Sequence, residues 1–147
     1  MRRLALAATL PLLLAACSSD DGGDAASGKT ADRTVEIDAT DSLRFDPTTL
    51  RARAGETIKF VITNDGRVDH EFAIGSAVFQ AKLDETPSGE HGGGHGGGDV
   101  PDGGELVTVD AGKTATLTYT MSDVAPTYVC YVDDHNTSGM KGTVTYS

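Results

Sequence analysis

The sequence predicts an all-β sandwich. Short runs of alternating apolar and polar residues recur from Thr34 to Tyr146, the period of half-buried strands. Clusters of Gly, Pro, Asn and Asp punctuate them at the spacing of a two-sheet fold. No stretch after residue 33 shows the 3.6-residue apolar period of an amphipathic helix.

The chain opens with a segment of a different kind. Arg2 and Arg3 precede an apolar run, Leu4 to Leu14, and Leu14-Ala15-Ala16-Cys17 follows. That run is too short for a membrane span, which needs about 20 residues. With its basic start and small-residue end it reads as a secretory signal peptide over 1–16. The small-small-Cys ending resembles a bacterial lipobox, which implies lipid on Cys17 and an exported, membrane-anchored chain. Without lipidation the same segment is an ordinary signal peptide. Residues 17–32, rich in Ser, Asp, Gly and Ala, lack the apolar surface to fold and form a flexible tether.

The domain proper is expected over 33–147. Val35, Ile37 and Ala39 alternate with Glu36, Asp38 and Thr40, giving the first strand, which Phe45-Asp46-Pro47 breaks. Thr49 to Arg53 forms a short strand and Ala54-Gly55-Glu56 a turn. Ile58, Phe60 and Ile62 mark the next strand, which stops at Asn64-Asp65-Gly66, a strong turn signal. His70 to Ile74 is another. Glu105 to Val109 and Thr114 to Met121 read as a hairpin around Asp110-Ala111-Gly112, with Leu117, Tyr119 and Met121 on one face. Thr127 to Val132 and Lys141 to Tyr146 complete the set.

Charge narrows the functional classes. The chain has 22 acidic and 12 basic residues, and removing Arg2 and Arg3 leaves a net charge of −12. No basic cluster is available for nucleic acid. The acidity suits solubility or a cationic protein partner.

Chemistry gathers near the C-terminus. Cys130, His135 and Met140 stand at five-residue steps, and His70 opens an upstream strand. In a sandwich, Cys130 ends one strand and Met140 precedes the next, so both sulfurs come to one pole with His135 between them. Thiolate and thioether favour Cu(I) while imidazole tolerates Cu(II), so this donor set points to copper. If Cys17 carries lipid, Cys130 is the only thiol in an oxidising compartment, a liability unless buried or metal-bound. Taken singly, each residue has a plainer reading: His70 in a turn, Met140 filling the core, Cys130 an inert thiol or a nucleophile beside His135. A nucleophile needs an oriented base and an oxyanion site. Neither is recognisable, so no enzymatic activity is expected.

Cys130-x4-His135-x4-Met140, followed by Lys141-Gly142-Thr143-Val144-Thr145 and with Asp69-His70-Glu71-Phe72 upstream, resembles the cupredoxins, the family of plastocyanin and azurin. The ligand-loop spacing is closer to that of auracyanin and rusticyanin. The resemblance spans roughly 33–147. It implies a Greek-key sandwich holding one type 1 copper ion on His70, Cys130, His135 and axial Met140. It also implies a backbone N–H bond from Glu71 to the Cys130 sulfur, and electron exchange through the edge of His135. Gly139 and Gly142 are expected to let the backbone fold tightly around Met140. Redox proteins are the implied partners; Asp133 and Asp134 either favour a basic docking surface or simply form a solvated loop. A monomer is expected.

Residues 89–104 are set apart by nine glycines with His91 and His95. Such a tract can make weak second metal contacts, although ordering it costs about 1–2 kcal/mol per residue; the plainer reading is a flexible insertion. Two roles stay open: a one-electron carrier outside the cytoplasmic membrane, or a copper-handling lipoprotein for storage, delivery or resistance that adds His91 and His95. A metal-free structural sandwich is the third.

Overall fold

The computed structural model describes residues 30–87 and 100–147. The expected signal peptide, Cys17, most of the tether, and His91 and His95 lie outside the described residues. Among the described residues, nine strands and one helix follow in order: β1 (Arg33–Thr40), β2 (Arg44–Asp46), β3 (Thr49–Ala52), β4 (Thr57–Asn64), β5 (His70–Gly75), α1 (Ala77–Asp84), β6 (Gly104–Val109), β7 (Thr114–Thr120), β8 (Thr127–Val129) and β9 (Lys141–Tyr146). They form a four-stranded sheet, β2-β1-β4-β7, and a five-stranded sheet, β3-β9-β8-β5-β6. The all-β sandwich expectation holds.

Alternation in the sequence explains the packing. In β4 Ile58, Phe60 and Ile62 are fully buried, while Lys59, Val61 and Thr63 between them are only partly so. β1 runs parallel to β4 and sets Val35 beside Phe60 and Ile37 beside Ile62. Leu117, Tyr119 and Met121 enter the same core. From the other sheet come Phe72 and Tyr128, whose rings lie 5.3 Å apart, with Phe45 5.5 Å from Phe72. Burying each such aromatic contributes about 1.5–3 kcal/mol.

Three expectations need correction. Phe45 does not merely break the first strand: it lies in β2, which pairs antiparallel with β1, because Phe45 supplies a core ring from an edge strand. The turn around Asp110–Gly112 is real, with the Lys113 N–H on the Asp110 carbonyl and Gly112 at φ 69°. Its flanking strands do not form a hairpin, however. β6 pairs with β5 and β7 with β4, in different sheets. The corner is fixed by Asn64, whose Nδ2 donates to the Val109 carbonyl at 2.9 Å while its N–H donates to the Lys113 carbonyl. A short helix, α1, also stands where none was expected. Only Phe79, Gln80 and Leu83 of it are buried, so eight residues give too brief an apolar stripe to show a period.

Segment boundaries shift as well. Asp32, assigned to the tether, is part of the fold: its N–H donates to the Thr57 carbonyl at 2.7 Å and its carboxylate accepts from the Thr57 N–H at 2.8 Å. At the end of the Gly/His segment, Gly104 opens β6 and the Gly103 carbonyl accepts from the Ser76 N–H at 3.0 Å. Gly75 and Gly104 leave no room for a Cβ against the Phe79 ring, so α1 lies flush on the five-stranded sheet. β8 ends at Val129, three residues earlier than expected, which frees Cys130 to start a loop.

Candidate metal centre

Strand pairing places the first two donors. β5 and β8 are antiparallel with Ala73 opposite Val129. Continued one pair, that register sets Cys130 across from Phe72, so Cys130 and His70 share the inner face of the sheet. Both are fully buried. The Glu71 N–H donates to Cys130 Sγ at 3.4 Å, the bond that the family resemblance implied.

The loop from Cys130 to Met140 is closed by its own backbone. The Cys130 N–H donates to the Met140 carbonyl at 3.0 Å, and the Met140 N–H donates to the His135 carbonyl at 2.9 Å. Inside that ring the Ser138 N–H reaches Asp134 and the Gly139 N–H reaches Asn136. Gly139 sits at φ 96°, where a side chain is strained, and a Cβ there would also meet the Arg44 guanidinium at 2.8 Å. Arg44 donates to the Ser138 carbonyl at 3.0 Å, holding the loop to β2. Gly142 serves differently from expectation: it clears space for the Tyr128 ring.

The donors converge. Nδ1 of His135 lies 3.4 Å and Nδ1 of His70 3.9 Å from Cys130 Sγ. One ligand atom from each of the three residues can be chosen so that all lie within 4.8 Å of one another. Two donors bound at about 2.0–2.3 Å to one tetrahedral-like ion stand roughly 3.3–3.8 Å apart, close to the spacing of both nitrogens from the sulfur, so the set fits a single metal. Met140 is fully buried, and its backbone is bonded to both Cys130 and His135. The imidazole rings of His70 and His135 are 5.1 Å apart at 49°. His70 is buried and His135 half-buried.

Burial favours the neutral form of both His70 and Cys130. Burial, and secondarily the neighbouring His135, hold the His70 pKa below its ordinary value, against the opposing pull of Asp41 and Asp69. The neutral imidazole is the form that ligates metal. Burial pushes the Cys130 thiol up to about 11, although the Glu71 and Val132 N–H groups oppose it. Such a thiol is a poor nucleophile at neutral pH; coordination to a cation would remove its proton. His70 Nε2 is buried with no hydrogen-bond partner among the described residues.

All four sequence-derived residues thus lie at one pole, three with donor atoms in mutual reach. Sequence reasoning missed Asn64, Gln80 and Arg44. Asn64 had a signal, a strand-ending Asn before Asp-Gly, but read as a simple turn; its Nδ2 also donates to the Val68 carbonyl at 2.8 Å, two residues before His70. Gln80 and Arg44 carried no pattern of their own.

Comparison with known proteins places this geometry. Residues 31–147 match the model of copper binding proteins, plastocyanin/azurin family. The copper-resistant cuproprotein CopI of Rubrivivax gelatinosus is 35% identical over 127 residues, covering 83% of this chain and 69% of the relative. CopI of Pseudomonas aeruginosa is 31% identical over 147 residues, covering 84% and 81%. Among solved structures, auracyanin B superposes with a TM-score of 0.66 at 20% identity, over 86% of this chain and 96% of its own. The reduced auracyanin of Roseiflexus castenholzii gives 0.64 at 23%, over 80% and 99%. These two likenesses establish the fold. With the family model covering the whole described domain, the chain belongs to the plastocyanin/azurin family of copper-binding proteins.

Proposed function

We propose that this chain is an exported one-electron carrier with a type 1 copper centre on His70, Cys130, His135 and Met140. The observation that carries the reading is the convergence of two imidazole nitrogens on one buried thiol, 3.4 and 3.9 Å away. Copper, when bound, supplies a one-electron Cu(II)/Cu(I) couple.

The chain's own residues set the conditions for that couple. His70 and Cys130 are tied to paired strands, and the loop carrying His135 and Met140 is closed on Cys130 by backbone bonds. Donors anchored in this way move little when the charge between them changes by one. The Glu71 N–H on the sulfur withdraws electron density and tunes the couple. Half-buried His135 is the exit toward a partner, and exposed Asp133 and Asp134 beside it favour a cationic one. Lipid on Cys17 would keep the domain at a membrane surface; among the described residues no helix is long and apolar enough to cross one. On this reading the chain is not an enzyme, binds no nucleic acid and works as a monomer.

A second reading, copper resistance, is favoured by the names of the CopI relatives. His91 and His95 would then serve as weak capture ligands. To separate the two, the copper-loaded protein is cycled with ascorbate and ferricyanide in the presence of a Cu(I) chelator. A carrier keeps one copper per chain through repeated cycles. Loss of copper to the chelator in the first reduction contradicts the carrier role and favours handling. A deletion strain that grows normally on copper would remove the resistance reading.

A further inference from the structure

From the geometry around α1 we infer that Gln80 is a positioning residue for the copper centre, acting from outside it; the inference rests on the metal-site reading above. Gln80 is buried on the inner side of α1, facing the five-stranded sheet. Its Nε2 donates to the Ala73 carbonyl at 3.1 Å and to the Thr127 carbonyl at 2.8 Å. Its Oε1 and its backbone carbonyl, 3.1 and 2.9 Å away, share the Tyr131 hydroxyl. One side chain therefore joins β5 three residues after His70, β8 three residues before Cys130, and the residue that follows Cys130.

The network admits one arrangement. Turning the amide over would aim Oε1 at two carbonyls, so the amide hydrogens hold those carbonyls and Oε1 is left for the tyrosine. The platform carrying Gln80 is itself fixed. Phe79 and Leu83 are fully or almost fully buried in a small apolar cluster with Ala73, Leu106 and Tyr131. Ser76 Oγ caps the helix by accepting from the Phe79 N–H at 3.2 Å. At its other end, Asp84 accepts from Asn136 Nδ2 at 2.9 Å, next to His135. The helix thus grips the ligand loop at Tyr131 and at Asn136. β8 stops at Val129, so beyond it the strand ladder no longer holds the segment from Cys130 to Asn136, and these two grips join the loop's own bonds and the Glu71 N–H on Cys130 in fixing it.

Removing the Gln80 amide takes a buried donor from each of two carbonyls and leaves the Tyr131 hydroxyl only the Gln80 backbone carbonyl of the two acceptors that Gln80 offers. The strand ends relax, and the distance between the Glu71 N–H and the Cys130 sulfur changes with them.

The test uses the full chain and two variants. Gln80→Met keeps the volume and removes every side-chain hydrogen bond; Tyr131→Phe removes one hydroxyl. Leu117→Ala, in the core and away from α1, is a control of comparable instability. In the metal-free protein, amide exchange at Glu71 should be at least about tenfold faster in Gln80→Met than in the control, and about threefold faster in Tyr131→Phe. With copper, both variants should change the ratio of the visible bands while the control keeps it. Wild-type exchange and an unchanged band ratio in both variants would overturn the role. If Gln80→Met does not fold, Tyr131→Phe alone decides by the same two readings. Because exchange is read without metal, its failure is separate from failure to bind copper.

Discussion

The Glu71 N–H, in β5, points across 3.4 Å at the Sγ of Cys130, the first residue past the end of β8. The register of β5 against β8, continued one pair beyond Val129, therefore helps to aim the sulfur. Phe72, opposite Cys130 in the continued register, is fully buried against Phe45, Phe60 and Tyr128. Phe72→Ala should cost about 3–5 kcal/mol, measured by denaturant unfolding, and broaden the copper spectrum. An intact spectrum would show that the sulfur is aimed by the loop alone.

Met140 is fully buried. Met140→Leu keeps its volume, so stability should fall by less than about 1.5 kcal/mol. The weak axial donor adds electron density that the doubly charged Cu(II) needs more than Cu(I), and this outweighs the softness of the thioether, so the reduction potential should rise on its loss. Voltammetry on the two proteins checks this; an unchanged potential means that Met140 fills space only.

Gly139 holds φ 96° beneath the Arg44 guanidinium. Gly139→Ala should lose about 1–3 kcal/mol from backbone strain alone, and copper should dissociate faster. Gly55 shares a positive φ of 79° but has nothing within 4 Å of a built Cβ. Gly55→Ala should therefore destabilise without touching the copper off-rate.

At the pole away from the metal, Arg33 Nε lies 2.6 Å from Glu56. That guanidinium, then the Arg53 N–H, holds the Glu56 carboxyl below its usual value against the opposing effect of burial. The folded pKa lies below the unfolded one, so the pair stabilises above roughly pH 4.3 and the contribution disappears as pH falls through the folded value. Glu56→Gln should cost about 0.5 kcal/mol at pH 7, and its difference from wild type should shrink below pH 4. A difference that grows on acidification would contradict the assignment.

Much of this molecule is legible in the sequence because its signals are local. Ile58, Phe60 and Ile62 announce a buried strand face, and Cys130, His135 and Met140 announce soft ligands at regular steps. What was not legible depends on partners distant in the chain. The turn at Asp110–Gly112 looks like that of a hairpin because nothing local reveals that Asn64 draws its strands into different sheets. α1 hides because Val78 faces solvent while only Phe79, Gln80 and Leu83 pack. Gln80 gains its role solely from carbonyls and a hydroxyl brought to it by folding.

The most direct measurement is titration of the purified full chain with Cu(II), followed by visible spectroscopy, reduction with ascorbate, and repetition on Cys130→Ser. An intense blue band saturating at one copper per chain, bleached by reduction, restored by oxidation and absent from Cys130→Ser, is the expected result. A colourless copper adduct, or a blue band that persists in Cys130→Ser, would contradict it.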